Sequence, residues 1–293
     1  MAEYNLYCKF SKNGEINMSF LTWLYHFLNT PSEVPQSYGT YHLACVALAI
    51  VTAILLVVLF KNAKEKTVRA LTAITWIVMV VLEIGKQILF CLHMNEAGDF
   101  SWSYYWYFLP FQFCSSPLYI LPIVAFAKNS KFRDAAIIFL ATYGFFGGAC
   151  VYAFPGDVFL WFEFINVQTM IHHGIQIFFG TYLAVRYRDK LNFKNLVSAT
   201  GVFVIMCAIA MAINLITYHT DITGDFGGLN MFFISPYYPC TLPVLSMIYP
   251  LVPYPAFLCI YVFGFMLCAG LVMLIMKGLA KISGASKTAV DCD

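Results

Sequence analysis

FLPFQFCSSP, residues Phe108–Pro117, lies inside a segment that otherwise has the composition of a membrane span. The stretch places a thiol, an amide and two hydroxyls among prolines and phenylalanines, where each polar group costs free energy unless it has a partner. Further polar residues occur at similar depth in the other apolar segments of the chain. We therefore take Cys114 and its surroundings as the centre of the molecule.

The composition requires a lipid environment. Of the 293 residues, 61% are hydrophobic and 11% are charged, and the mean hydropathy is +0.74. Ordinary soluble domains carry about 25% charged residues. A soluble protein of this length could not bury so much apolar surface, so we expect an integral membrane protein. The small net charge of +2 gives no indication of a nucleic-acid partner.

Seven apolar segments each approach the roughly 20 residues that a helix needs to cross a bilayer. They are residues 39–60, 71–92, 107–126, 135–154, 162–185, 196–218 and 256–276. We therefore predict an all-α fold, a polytopic membrane bundle of seven transmembrane helices over residues 39–276. The chain contains no internal repeat that would divide this bundle into two domains.

Basic residues cluster in alternate connections between these segments. Of the 17 Lys and Arg residues, 14 follow the first, third, fifth and seventh segments: Lys61, Lys64, Lys66, Arg69, Lys128, Lys131, Arg133, Arg186, Arg188, Lys190, Lys194, Lys277, Lys281 and Lys287. The opposite connections contain no Lys or Arg, and their charged residues are Glu96, Asp99, Asp157, Asp221 and Asp225. The positive-inside rule then places the N-terminus outside and the C-terminus in the cytoplasm.

The two ends of the chain flank this bundle. Residues 1–38 show no basic start followed by a cleavable apolar core, so we predict an extracytoplasmic N-terminal segment without a signal peptide. Apolar residues recur at helical spacing from Ile16 to Leu28, which is typical of an amphipathic helix lying in the membrane interface. A partly ordered tail is the alternative. Residues 277–293 would form a cytoplasmic tail.

The connection 219–255 is unlike the other predicted outer connections. It turns apolar after Asp225 and contains six prolines, which exclude one straight spanning helix. An apolar, proline-broken loop needs protein around its backbone groups. We therefore expect residues 226–250 to form a re-entrant or covering loop over a cavity in the outer half of the bundle.

Polar side chains inside the segments lie at similar depths. The residues concerned are His42, Glu83, Lys86, Gln87, Gln112, Cys114, Thr169, His172, His173, Gln176 and Asn214. At 1.5 Å per residue, Cys114 lies about 10 Å, Glu83 about 14 Å and His172 about 15 Å below the outer ends of their segments. Four segments therefore point to one polar cavity open toward the outer leaflet. The structural alternative is a Glu83–Lys86 ion pair that locks the bundle, beside hydrogen-bonded core histidines.

The ten cysteines show no CxxC pair and no His/Cys spacing that suits zinc, so we predict no metal and no cofactor. Cys8, Cys91 and Cys240 are the ones that could meet outside the membrane, and a disulfide among them stays open. Cys114 is either a packing residue or a nucleophile. A cysteine near a histidine can give up its proton and attack a carbonyl carbon.

Several motifs in a fixed order carry a family resemblance. They are Tyr41–Leu43 (YHL), Leu109–Cys114 (LPFQFC), Tyr143–Gly148 (YGFFGG) with Pro155, His173–Gly174, Asn214, and Asn230–Phe233 (NMFF). With them the chain resembles the YwaF-type bacterial integral membrane proteins, to which the eukaryotic transmembrane protein 164 is similar. Phe111, Phe113 and Met231 depart from the common pattern. The resemblance implies a seven-helix fold and, through the eukaryotic relative, a phospholipid acyltransferase that uses the cysteine matching Cys114.

The resemblance also implies roles at the site. Cys114 would form an acyl-thioester, His173 (or His172) would act as base and acid, and membrane phospholipids would be the substrates. Asn214 and Asn230 would orient the imidazole or stabilise the oxyanion. The further cavity residues would be His42, Glu83, Lys86, Gln112 and Gln176.

Two other functions stay open from the residues alone. In a transporter or receptor-like protein, Glu83, Lys86 and the histidines would line a solute or proton path. In a structural or accessory membrane protein, the polar groups would only hold the bundle together. We expect a multi-pass protein of the plasma membrane, and its oligomeric state stays open.

Overall fold

The structure is a computed structural model that describes residues 19–220, 222–223 and 228–284. Several residues used above lie outside this described part, namely Cys8, Ile16, Asp221, Asp225 and Lys287, with most of the predicted cytoplasmic tail. Within the described residues, helices predominate and one short hairpin is the only sheet. The predicted all-α class is therefore confirmed in its main feature.

The helices follow one another along the chain with few long interruptions. They are α1 Phe20–Leu28, α2 Thr40–Phe60, α3 Glu65–Cys91, α4 Pro117–Phe126, α5 Lys131–Phe139, α6 Phe145–Ala153, α7 Glu163–Arg186, α8 Phe193–Thr220, α9 Leu245–Ile248 and α10 Tyr254–Ile282. Short 3-10 turns are Trp106–Phe108, Phe113–Ser115, Pro155–Asp157, Arg188–Lys190, Met231–Phe233 and Tyr249–Leu251. A π-helical turn, Leu140–Gly144, joins α5 to α6, and the hairpin consists of β1 Leu92–Met94 and β2 Phe100–Trp102.

Five of the described helices are long and apolar enough to cross a membrane. They are α2, α3, the continuous helix Lys131–Ala153, α8 and α10. The other two predicted spans differ for physical reasons. The segment 107–126 is interrupted around Pro110, so its apolar helix is limited to Phe113–Phe126 and is short. α7 has the length, but its polar residues lower its hydropathy.

α7 is the central helix of the bundle, which explains its polarity. It packs against α2, α3, α6 and α10, and most of its side chains are buried. Its polar groups therefore face protein instead of lipid. Close packing against α6 requires glycine, because a Cβ atom at Gly148 would lie 2.6 Å from the carbonyl oxygen of His173. A Cβ atom at Gly174 would lie 2.8 Å from the hydroxyl of Tyr152 on α6.

The basic connections meet at one end of the bundle, which we call the basic end. Arg133 before the middle of α5 lies 2.5 Å from Glu65 at the start of α3, and the Tyr187 hydroxyl donates to Glu65 at 2.8 Å. Lys61 after α2 donates to the carbonyl oxygen of Ser283 after α10 at 2.6 Å. The connections after α2, α4 and α7 and the end of α10 therefore lie together.

The N-terminal segment and the connection 154–162 meet at the opposite end. Pro31 and Phe162 form an antiparallel bridge, and the Tyr38 hydroxyl donates to the Ala153 carbonyl at 2.6 Å. α1 begins at an N-cap, Ser19, and ends before Pro31, within the predicted helical pattern. The apolar side of α1 places Leu28 in a small core with Leu89 and Ile165.

The cysteines that could have met outside the membrane are not joined in the described part of the chain. Cys91 and Cys240 are both free thiols. Cys91 and Cys240 therefore do not form the disulfide that the sequence left open. Cys8 lies outside the described residues.

Candidate functional site

A cavity of about 200 Å³ lies between α3, α7, the turns around Phe108 and Cys114, and the connection 154–162. Its lining consists of Glu83, Lys86, Phe90, Phe108, Cys114, Ser115, Val158, Leu160, Ile165, Gln168, Thr169, His172 and His173. The structure thus places the thiol, both imidazoles and the two charged residues in one cavity. The sequence analysis grouped these residues by their similar depth in the membrane. Because Val158 and Leu160 belong to the connection 154–162, the cavity lies toward the end opposite the basic end.

A local break in the helix places Cys114 at this cavity. The 3-10 turn Phe113–Ser115 is closed by the Ser115 N–H, which donates to the Gln112 carbonyl at 2.8 Å. Pro117 lies three residues after Cys114 and has no N–H to donate to the Cys114 carbonyl. That carbonyl instead accepts from His172 Nε2 at 3.0 Å and from Gln176 Nε2 at 2.8 Å. Side chains of α7 therefore replace the missing backbone donor.

Both imidazoles have one nitrogen engaged and one free. His173 Nδ1 lies 2.7 Å from the Thr169 carbonyl oxygen, and because a carbonyl oxygen only accepts, Nδ1 carries the proton. By the same argument His172 Nε2 carries a proton. The remaining nitrogens, His173 Nε2 and His172 Nδ1, are buried and have no hydrogen-bond partner among the described residues. In the neutral rings each of these atoms presents a lone pair.

The thiol and the imidazoles share the cavity without a direct hydrogen bond. Among the hydrogen bonds of the described residues, those of His172 and His173 go to carbonyl oxygens and to the Thr169 hydroxyl, and none goes to the Cys114 thiol. The link between Cys114 and His172 runs through the cysteine backbone.

Glu83 and Lys86 form the predicted ion pair in the cavity wall. Lys86 Nζ lies 2.8 Å from Glu83 Oε1, which also accepts from Gln87 Nε2 at 2.7 Å. Gln87 Nε2 donates in addition to the Phe108 carbonyl at 2.8 Å. The pair therefore borders the cavity and, through Gln87, ties α3 to the stretch before Cys114.

Three amides expected at the cavity, those of Gln112, Asn214 and Asn230, are not among its lining residues and hydrogen-bond to the loop 230–239. Asn214 brackets Met231, accepting from its N–H at 2.6 Å and donating to its carbonyl at 3.0 Å. Gln112 accepts from the Phe232 N–H at 3.0 Å and donates to the Asn230 carbonyl. Asn230 donates to the Pro239 carbonyl at 3.1 Å. Buried backbone groups outside a helix need such partners.

The amides and the packing together stabilise an unusual backbone. Met231 and Phe232 are fully buried, and Phe232 and Phe233 both have a φ of 56°. The Tyr261 hydroxyl donates to the Phe232 carbonyl at 2.7 Å. The loop therefore does enter the bundle, as a re-entrant segment would, but it does not line the cavity.

The loop that borders the cavity is not the one expected. Val158 and Leu160 of the connection 154–162 line it, whereas residues 228–250 do not. Asn166 holds this connection, accepting from the Leu160 N–H and donating to its carbonyl, each at 2.8 Å. The sequence reasoning missed Asn166 and Gln168. Asn166 and Gln168 precede His172 and His173 on the same helix, and this helical spacing could have indicated that they lie near the site.

His42 and Gln176 also lie outside the cavity lining. His42 is buried at the start of α2, where its Nδ1 accepts from the Tyr38 N–H at 3.1 Å and its ring packs against Tyr152 and Phe159. His42 therefore joins the start of α2 to the residue Tyr38 that precedes it. Gln176 does not line the cavity, but its side-chain amide donates a hydrogen bond to the Cys114 carbonyl.

Comparison with known proteins supports the resemblance. The model of the TMEM164 family matches residues 37–277. The chain belongs to the TMEM164 family. This match includes every residue of the cavity lining and confirms the predicted relationship to transmembrane protein 164, while it does not extend to the YwaF name. No curated protein and no solved structure matches the chain. Membership of the TMEM164 family and five long apolar helices identify a multi-pass integral membrane protein.

Proposed function

We propose that this protein transfers acyl chains between membrane phospholipids, with Cys114 as the nucleophile. The observation that carries the proposal is one cavity lined by a thiol and by two imidazoles that each have a free, buried nitrogen. Phe90, Phe108 and Ile165 supply apolar wall beside these groups. An ester with its acyl chain along that wall would present its carbonyl carbon to the thiol.

The chemistry follows from these groups. His173 Nε2 takes the proton of the Cys114 thiol, and the thiolate attacks the ester carbonyl carbon of a donor phospholipid. Collapse of the tetrahedral intermediate breaks the C–O bond, and the imidazolium gives its proton to the lysophospholipid oxygen. An acceptor lysophospholipid hydroxyl then loses its proton to His173 and attacks the thioester. The C–S bond breaks, and the thiolate recovers its proton from the imidazolium.

The oxyanion of each intermediate needs donors other than Asn214 and Asn230, because those amides are engaged with the loop 230–239. The first N–H groups of a helix have no partner within it. Those of Phe113 and Cys114 begin the helix Phe113–Phe126 beside the thiol, and we assign them to the oxyanion.

Trapping the acyl-enzyme tests the proposal. Purified protein in liposomes, supplied with a phospholipid that carries an isotope-labelled acyl chain, should gain the mass of that chain on the peptide containing Cys114. Neutral hydroxylamine should remove it, since it cleaves thioesters. Labelled acyl groups absent from Cys114, or spread equally over the other free cysteines, would refute the mechanism.

The second candidate is a transporter, favoured by the Glu83–Lys86 ion pair in the cavity wall. In that case proteoliposomes would take up a solute or protons without forming a thioester. Transport would then be lost in Glu83→Gln and retained in Cys114→Ala.

We also infer seven crossings, with the N-terminus outside and the C-terminus in the cytoplasm. The charge distribution supports this, as does the gathering of alternate connections at the basic end. The broken segment 107–126 would cross with help from its protein neighbours, and α7 would cross at the centre of the bundle.

Labelling with a membrane-impermeant maleimide checks this topology. Lys66 and Glu96 are both exposed and lie in connections of opposite predicted side. In intact cells, Glu96→Cys should be labelled and Lys66→Cys should not, compared with a parent chain in which Cys8 and exposed Cys259 are serine. Labelling of both positions from outside would end the seven-span topology. Labelling of Glu96→Cys in intact cells would also support our placement in the plasma membrane.

A further inference from the structure

The two adjacent histidines are held in opposite ways. His173 is anchored at Nδ1, next to its own Cβ, and leaves Nε2 at the tip of the ring free. His172 is anchored at its tip, where Nε2 donates to the Cys114 carbonyl, and leaves only the recessed Nδ1 free. A base with Nδ1–H held by an acceptor and Nε2 free is the arrangement of hydrolase triads. His173 has that arrangement and His172 does not.

His172 does not act on the Cys114 carbonyl alone. Gln176 lies four residues later on the same face of α7 and donates to the same oxygen at 2.8 Å. The glycines of α6 make room for this side chain, because a Cβ atom at Gly148 would lie 2.7 Å from the Cβ of Gln176. Two side-chain donors thus converge on one carbonyl that Pro117 leaves without a backbone partner in the turn.

We infer that His172 and Gln176 are positioning residues that clamp the Cys114 carbonyl, while His173 alone serves as the base. The inference rests on the function proposed above and gives the two histidines of that site different roles. The clamp holds the turn Phe113–Ser115 against α7, and it thereby fixes the direction of the thiol and of the first N–H groups of the helix. Without it, the turn would lose its anchor on α7, and the thiol would lose its alignment with His173 Nε2 and with the ester.

Donor-retaining and donor-removing variants distinguish the two roles. His172→Gln keeps a side-chain N–H and should keep kcat within about tenfold of the parent, since a positioned donor and not a base is required. His172→Leu should lower kcat by about 100-fold with little change in KM. His173→Gln lacks a basic nitrogen and should lower kcat by about 10²- to 10⁴-fold. Gln176→Leu, which removes the second donor, should resemble His172→Leu.

Alkylation of Cys114 by a membrane-permeable maleimide supplies a readout that does not depend on acyl transfer. His172→Leu should lower the alkylation rate by the same factor at every pH, because it changes alignment. His173→Gln should change the shape of the pH profile, because it removes the proton acceptor. Variants are compared only where the protein elutes as a single folded species in detergent, and Gln176→Leu replaces His172→Leu if the latter does not.

The outcomes separate the two proposals. If acyl transfer requires Cys114 but His172→Gln is as inactive as His172→Leu, or His173→Gln stays active, the division of labour is wrong. If the alkylation profiles behave as expected while Cys114 carries no acyl group with any phospholipid, the clamp stands and the acyltransferase proposal fails.

Discussion

Replacement of Cys114 by alanine is expected to lower acyl transfer by about 10³-fold or more, to the level of liposomes without protein. The proposed reaction proceeds through a thioester at this sulfur, and the other groups of the cavity cannot replace a missing nucleophile. Cys114→Ser should be nearly as inactive, because a hydroxyl is a much weaker nucleophile than a thiolate. The measurement is lipid remodelling followed by mass spectrometry, in membranes with matched amounts of each variant.

The matched control is Cys268→Ala. Cys268 is a half-buried free thiol on α10 that does not line the cavity. Both substitutions remove one small side-chain atom, at a cost of about 1 kcal/mol in stability. We expect Cys268→Ala to transfer acyl chains like the parent. Full activity in Cys114→Ala would refute the acyltransferase proposal and favour the transporter.

Replacement of Arg133 by alanine is expected to lower the free energy of unfolding by about 3–5 kcal/mol. Arg133 is 1% exposed at the basic end, where its guanidinium lies 2.5 Å from Glu65. It also donates to the Val124 carbonyl at 2.8 Å and to Asn129 at 3.1 Å. Alanine would remove the side-chain donor of the buried Val124 carbonyl and would open a cavity beside Tyr187, while Glu65 and Asn129 would each keep Arg69. Lysine would not rescue the loss, because it cannot reproduce the planar fork of donors.

Arg188→Ala is the control for this prediction. Arg188 lies 3.9 Å from Asp189 and is partly exposed, so the pair is worth at most about 1 kcal/mol. The unfolding midpoint of each variant in mixed detergent micelles measures the difference. Equal midpoints for Arg133→Ala and Arg188→Ala would show that the basic end contributes little to stability.

The membrane nature and most helices of this protein were predictable from sequence, because hydropathy over about 20 residues reports transfer from water to lipid. The boundaries were less accurate. α3 begins at Glu65 and not at Leu71, since its first turns carry Glu65 and Arg69, which form an ion pair at 3.3 Å. A hydropathy window leaves such charged turns out of the predicted span. In the structure, the ion pairs and hydrogen bonds at the basic end stabilise them as helix.

The cavity residues were predictable for a related reason. In a bundle whose helices alternate in direction, residue number converts to depth at a fixed rise, so Glu83, Cys114 and His172 could be placed at one level. Depth does not determine which side of the bundle a residue faces. Asn214 therefore lies with the loop 230–239, and Gln112 lies with it too, although both are polar and near the expected level.

By itself the sequence determined that this chain lies in a membrane, where most of its helices lie, and that a thiol and two histidines lie at similar depth. It could not determine the hydrogen-bond partner of each polar group. That partner depends on contacts between residues far apart in the chain, such as His172 with Cys114 and Arg133 with Glu65. Inside a bundle surrounded by lipid, every freed backbone group requires a side-chain donor or acceptor. Only the packing of α7 against its neighbours decided that His172 and Gln176 take the Cys114 carbonyl and leave His173 Nε2 free.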